Sequence, residues 1–315
     1  MSFNLVVFLY SFFTNDLVGD TILFKNLLGI LIGSLFLAIG GFLDDKYNLK
    51  PRWQIIWPIL AILSVIVLGV GIDVITNPVS DGVFHLDKYT IKLFWHDGIL
   101  YKITLLADIF TMVWLIAMMY TTKLLDGLDG LVSGVTIIGS IFIFLTALNK
   151  GDLIQYDVAL LAMMLLGVFA GFLVFNFNPA TIFLGEGGST MAGFLLGSLS
   201  IISGSKVGIT LMLLSIPLLD FIWTIIRRAM EKRKIFSADK KHLHHRLLAA
   251  GFTVKKAVFF LYFIAIVFGI IAYYLQDIGL NFLTIASVVV VAFMLILAYI
   301  YTKKRRRDRL LTQSN

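Results

Sequence analysis

In the segment KLLDGLDGLVSG, residues 123–134, two aspartates, Asp126 and Asp129, stand three apart, and each is followed by a glycine. On a helical turn that spacing puts both carboxylates on one face. Like charges so placed repel unless a cation or a shared proton lies between them. The glycines let a ligand come close to the backbone. Hard oxygen donors in a chain with no cysteine favour Mg2+ or Mn2+. The alternative is a glycine-rich turn with two solvated aspartates. The long apolar stretches on both sides weigh against it, because charge beside lipid is costly.

Three more clusters carry residues of the same chemical kind. GGFLDDKYNLKPR places Asp44 and Asp45 at the end of an apolar helix, where the helix dipole disfavours negative charge. A divalent metal, Lys46, Lys50 or Arg52 is expected to compensate, and the pair alone is balanced between a metal site and a solvated loop. NFNPATIFLGEGGST sets Glu186 in a glycine-rich turn, with Ser189 or Thr190 placed to cap the next helix. Such a turn can cradle phosphate, although no Gly-Lys-Ser/Thr follows and it is not a Walker loop. SADKKHLHHRLL groups His242, His244 and His245 with Lys240, Lys241 and Arg246. That reads either as an anion site or as a basic loop on anionic lipid; the histidines lack the wider spacing of a zinc set. Asp220 lies inside an apolar span, where an idle carboxylate is rare. It is either a site residue or a polar anchor between helices.

The elements that must position these residues are membrane helices. Of 315 residues 59% are hydrophobic and only 14% charged, and the mean hydropathy is +0.94. A soluble domain has nearer a quarter charged. Nine stretches are long and apolar enough to be read as spans, at about 22–42, 53–74, 103–121, 131–148, 158–177, 190–203, 207–226, 257–275 and 281–301. The span at 190–203 is short and rich in Gly and Ser, as in a broken or tilted helix. Residues 1–13 are too short to span and have no basic leader region; they read as the second half of a helix. The expected fold is thus an all-α polytopic membrane protein of about ten transmembrane helices. Residues 1–301 form one integral membrane domain and 302–315 a basic tail.

Charge orients the bundle. Loops 43–52, 122–130, 178–189 and 227–256 and the tail share one side and hold 20 of the 26 lysines and arginines. By the positive-inside rule that side is cytoplasmic. All four acidic and histidine clusters fall there, which argues for one polar site at the inner membrane surface. The longest outer loop, 75–102, alternates enough to suggest a short hairpin near 82–96. The basic tail anchors on lipid, and nucleic acid is not implied. Paired carboxylates, a hard metal, a glycine-rich turn and a basic histidine loop at a leaflet boundary describe phosphoryl chemistry between a lipid and a cytosolic phosphate compound.

The segments GGFLDDKYNLKPRWQ, KLLDGLDGLVSG, NFNPATIFLGEGGST and PLLDFIWTIIRRAMEKRKIFSADKKHLHHRLL resemble, in this order from about residue 22 to 256, the bacterial polyprenyl-phosphate N-acetylhexosamine-1-phosphate transferases (glycosyltransferase family 4). Phospho-N-acetylmuramoyl-pentapeptide transferase belongs to the same superfamily, but its branch carries a contiguous His-His-His. HLHHRLL is similar instead to the UDP-GlcNAc branch that starts teichoic acid or O-antigen synthesis. The resemblance implies transfer of a hexosamine 1-phosphate, foremost GlcNAc-1-phosphate, from a UDP-sugar to undecaprenyl phosphate. It implies release of UMP, with Mg2+ (or Mn2+), at the cytoplasmic face of the bacterial inner membrane. A homodimer is compatible with it. The catalytic set it implies is Asp44, Asp45, Asp126 and Asp129. The substrate-binding set is Lys46, Asn178, Asp220, His242, His244, His245 and Arg246, and the metal set Asp45, Asp129 and Glu186.

Two features depart from the family pattern. Where Glu186 stands the family commonly has Asp; Glu keeps the charge and adds a methylene. The family also begins with a further span and a loop containing Pro and Gly-Gly, which are expected upstream of Met1 or missing. The competing readings are a pentapeptide-transferase-like activity, a cation transporter, and a non-catalytic relative. A transporter would place its carboxylates near the bilayer midplane, where only Asp220 lies.

Overall fold

The computed structural model of the protein describes residues 2–14, 17–19, 21–76, 83–88, 90–96, 99–149, 154–204, 207–230 and 242–275. Helix α1 (Ser2–Phe13) precedes α2 (Phe24–Tyr47), a one-turn α3 (Pro51–Gln54) and α4 (Ile56–Val67). Four short strands follow, β1 (Val74–Thr76), β2 (Val83–His85), β3 (Thr90–His96) and β4 (Ile99–Thr104). Then come α5 (Leu105–Leu125), α6 (Leu131–Leu148), α7 (Tyr156–Asn176), α8 (Gly185–Ile202), α9 (Val207–Leu213), α10 (Ser215–Met230), α11 (Leu243–Ala249) and α12 (Val254–Leu275). Helices α2, α5, α6, α7 and α12 are long and apolar enough to cross a membrane. Among the described residues these five make a polytopic, mainly helical protein. The expected span at 281–301 and the tail from 302 lie outside the described residues.

The differences from the expected boundaries have simple causes. The stretch 53–74 divides because Pro51 starts a separate turn and Val67 ends α4 before strand β1. The stretch 207–226 divides at Leu214 into α9 and α10. Helices α2 and α5 each extend past the apolar run, carrying Asp44, Asp45 and Lys123 on their last turns. Strands β2 and β3 lie within 82–96 but do not pair with each other. Instead β1 pairs antiparallel with β2 (Val74↔His85, Thr76↔Val83) and β3 with β4 (Thr90↔Thr104, His96↔Ile99).

Helix α8 is the centre of the bundle. Every residue from Ser189 to Ile201 is buried, against α2, α5 and α6. Six of the eighteen residues of this helix are Gly or Ala; small residues let helix backbones approach where no hydrophobic force drives them together. The backbones come close at its N-terminal end, where a Cβ on Gly41 of α2 would lie 2.5 Å from the Gly187 Cα. On the α5 side, the Trp114 indole N–H donates to the Gly197 carbonyl at 3.3 Å. Sequence composition therefore brings the C-terminal ends of α2 and α5 and the N-terminal end of α8 to one place.

Candidate functional site

At the end of α2 the two adjacent aspartates have different tasks. The chain leaves the helix through Asn48, left-handed at φ 50°, whose N–H donates to the Asp44 carbonyl at 2.7 Å. The Asp44 carboxylate accepts from the Leu49 N–H at 2.9 Å and the Gln54 amide at 3.0 Å. These dipoles, rather than a basic side chain, offset the unfavourable helix end. Lys46 projects from exposed surface over Phe42 and Tyr47, 6.0 and 5.2 Å from the ring centres, and Arg52 lies over Trp53 at 5.8 Å. Lys46 is thus not gathered with the carboxylates. Asp45 is exposed and has no side-chain partner among the described residues.

The N-terminal end of α8 faces this pair. Gly185 is left-handed, at φ +69°, and a Cβ there would lie 3.6 Å from the Asp45 Oδ2. Glu186 follows, partly buried, within hydrogen-bonding reach of Asp44 and ion-paired with Lys123 of α5. Ser189 and Thr190 do not cap α8, because the helix already begins at Gly185. They lie inside its first turns and donate back to the Gly185 and Glu186 carbonyls, each at 2.8 Å. A small cleft of about 20 Å³ opens here, lined by Gly41, Asp44, Gln54, Trp57, Glu186 and Thr190.

Asp126 and Asp129 do not share a helical face. α5 ends at Leu125, and the two residues occupy the turn before α6. Asp126 leans toward α8, with the Ser189 hydroxyl beside its carboxyl. Although the residue as a whole is exposed, desolvation of its carboxyl raises the pKa to about 7, against the lowering effect of Ser189. Asp129 turns the other way and accepts from the Asn178 amide at 2.8 Å and the Ala180 N–H at 3.2 Å. The turn itself is held by buried Asn176, which accepts from the Gly130 N–H and the Ser133 hydroxyl at 3.1 and 2.9 Å and donates to the Ile182 carbonyl at 3.0 Å. The Tyr262 hydroxyl of α12 also donates to the Gly130 carbonyl.

The histidines sit on α11 against the same turn. The His244 ring packs on Gly127, between the two aspartates: a Cβ there would lie 2.3 Å from His244 Nε2. Burial, then the neighbouring His245 and His242, lowers the His244 pKa to about 4, with Asp220 opposing the shift. His245 is half-buried with its ring 4.3 Å from His244, and His242 stacks on His244 at 5.9 Å. Arg246 follows, half-buried, on the same short helix. Asp220, expected to meet substrate, does not face the cleft. Its buried carboxylate accepts from the Leu243 N–H at 2.9 Å and lies 3.4 Å from His242 Nδ1, so it fixes the start of α11.

The arrangement therefore gathers Asp44, Asp45, Asp126, Asp129, Asn178, Glu186 and the His242–His245 segment at one end of the bundle. Among the described residues, no group of three His, Asp or Glu side chains is close enough to hold a metal ion. Asp45, Asp129 and Glu186 are thus not assembled as one ligand set. Glu186 is satisfied by Lys123 and Asp129 by Asn178 and Ala180. Lys123, Gln54 and Asn176 escaped the reading of the sequence. Lys123 could have been found as the lone cation opening KLLDGLDG, and Asn176 as a polar residue ending an apolar run. Gln54 carries no such signal.

Carboxylates, a lysine and histidines converging at the ends of the spans of a helical membrane bundle, rather than along a central path, have the layout of an enzyme site. The chain belongs to glycosyl transferase family 4, whose model matches residues 27–204, more than half of it. It is 29% identical over 275 residues to the "Probable undecaprenyl-phosphate N-acetylglucosaminyl 1-phosphate transferase" of Bacillus subtilis (strain 168), covering 85% of this chain and 71% of that protein. It is 27% identical over 293 residues to the decaprenyl-phosphate N-acetylglucosaminephosphotransferase of Mycolicibacterium smegmatis, covering 85% and 68%. A phospho-N-acetylmuramoyl-pentapeptide-transferase of Moorella thermoacetica is 30% identical over a shorter 186 residues, 58% of this chain and 56% of that protein.

Proposed function

We propose that the protein transfers GlcNAc-1-phosphate from UDP-GlcNAc to undecaprenyl phosphate, as the first membrane step of a cell-envelope polysaccharide. An oxygen of the lipid phosphate attacks the β-phosphorus of the nucleotide sugar. The bond from that phosphorus to the bridging oxygen breaks, UMP leaves, and the lipid carries a diphosphate-linked sugar. The observation that supports this most is the meeting of Asp44, Asp45, Asp126 and Glu186 with His244 and His245 around the α2, α5 and α8 ends, in a chain of this family. We place this end at the cytoplasmic face of the bacterial inner membrane, in a bundle of about ten spans, and a homodimer is compatible with it.

Each residue has a physical task on this reading. Asp45, exposed and with no side-chain partner among the described residues, orients the lipid phosphate or accepts its proton. Asp44, locked by Leu49 and Gln54, holds the turn that presents Asp45. Asp126 is poised by its raised pKa to exchange a proton near neutral pH. The neutral His244, with His245 and Arg246, recognises the sugar-phosphate and excludes water from the turn.

The donors fit a hard divalent ion. Mg2+ is ordinarily held by one or two carboxylates together with substrate phosphate oxygens and water, not by an all-protein cage. Asp45 and Glu186, on either side of Gly185, would hold it. When bound, Mg2+ neutralises charge developing on the diphosphate and the leaving UMP.

The test is exchange of labelled UMP into a panel of UDP-sugars by purified protein with undecaprenyl phosphate, with and without Mg2+. Exchange with UDP-GlcNAc and not with UDP-MurNAc-pentapeptide is expected. Exchange confined to the pentapeptide would select the other branch of the superfamily, and none at all would reject the transferase.

A further inference from the structure

We infer that Lys123 is a built-in counter-ion which competes with the divalent cation for Glu186 and thereby sets how tightly the site takes the metal. The inference rests on the reading of Glu186 as a metal ligand. The Lys123 ammonium contacts the Glu186 Oε1 directly, and the two side chains are only 30% and 24% exposed, so solvent screens the pair incompletely. Both ends are built in. Lys123 lies on the last turn of α5, where the helix dipole favours a cation, and Glu186 on the first turn of α8, where it favours an anion. The Tyr120 ring lies 5.6 Å from the ammonium and gives it a second favourable contact.

Among the described residues, the surrounding charges single out Lys123 for this task. Asp44 lies against Glu186 and Asp45 against Gly185, so carboxylates crowd one end of α8. The nearby basic residues Lys46 and Arg52 are turned onto Phe42, Tyr47 and Trp53 instead. An ammonium on one carboxylate oxygen opposes any other cation that needs that oxygen, and the opposition is reciprocal by linkage. Glu reaches farther than Asp by one methylene. Here that reach is directed across the α5–α8 contact to the lysine. Lysine is a compact charge on a flexible stem, so it can withdraw when the metal arrives.

The experiment measures Mn2+ binding to the full chain in detergent micelles, without substrates, by the electron paramagnetic resonance signal of free Mn2+. Wild type, Lys123→Met, Lys123→Arg and Glu186→Gln are compared. Lys123→Met is expected to tighten Mn2+ binding about tenfold, the low end of what one adjacent opposite charge does to a carboxylate's proton affinity. Lys123→Arg keeps the charge and is expected to bind as wild type does. Unchanged or weaker binding by Lys123→Met overturns the competition, as does equal tightening by Lys123→Arg. Glu186→Gln is expected to weaken binding. If it binds as wild type does, Glu186 is not a ligand, and the metal reading falls together with the inference.

Discussion

The substitution Gly127→Ala tests whether α11 is docked on the α5–α6 turn as described. The new methyl would lie 2.3 Å from His244 Nε2, 2.9 Å from Cε1 and 3.0 Å from Cδ2, where ordinary contacts are 3.4–4 Å. The ring cannot slip aside, because it is buried between His242 and His245, at 5.9 and 4.3 Å. The short helix must therefore back away by about 1 Å, or the turn carrying Asp126 and Asp129 must deform. A misplacement of that size at reacting groups costs on the order of 100-fold in rate. Initial rates of labelled sugar-phosphate transfer in isolated membranes measure the loss. Gly167→Ala, where no atom lies within 4 Å of the new methyl, is the control and should be neutral. A near-wild-type rate for Gly127→Ala would refute the docking of His244 on this turn.

Other consequences follow from the same geometry. The Asp126 pKa of about 7 exceeds the ordinary 3.8, so its contribution to stability is present below the lower value and lost as pH rises through the higher. Melting curves of detergent-solubilised protein should show Asp126→Asn gaining on wild type across that window; parallel curves would contradict the shift. His244 has the opposite sign: its pKa of about 4 lies below the ordinary 6.5, so stability is lost as pH falls through that window, and His244→Gln should reduce the loss. Asn176→Ala leaves buried partners on Gly130 and Ser133 and should cost about 2 kcal/mol in detergent unfolding. Asp220→Ala removes the acceptor for Leu243 N–H, worth about 1 kcal/mol, and should raise KM for the UDP-sugar severalfold, with Asp220→Asn recovering part of the effect.

The five long apolar helices were legible because hydropathy is a local property. The match is close for α6, whose residues 131–148 are flanked by Gly130 and Asn149. The clustering of Asp44, Asp126 and Glu186 was legible too, since charge asymmetry put their loops on one side. Pairing was not. Whether Glu186 meets a metal or Lys123, and whether Asp220 faces the cleft or the start of α11, depends on how helices far apart in the chain rotate against each other. The packing that fixes those rotations is made by small residues such as Gly41 and Gly187, which carry no directional signal in the sequence. The strands show the same limit: alternation located β2 and β3 but gave no indication that each pairs with a different neighbour.

The central claim is that the β-phosphate travels with the sugar to the lipid. Purified protein given UDP-GlcNAc labelled with 32P only at the β-phosphate, together with undecaprenyl phosphate, should deliver the label to the lipid fraction and release unlabelled UMP, and Asp126→Asn should abolish the transfer. Label left on a released nucleotide diphosphate, or undiminished transfer by that variant, would contradict the account.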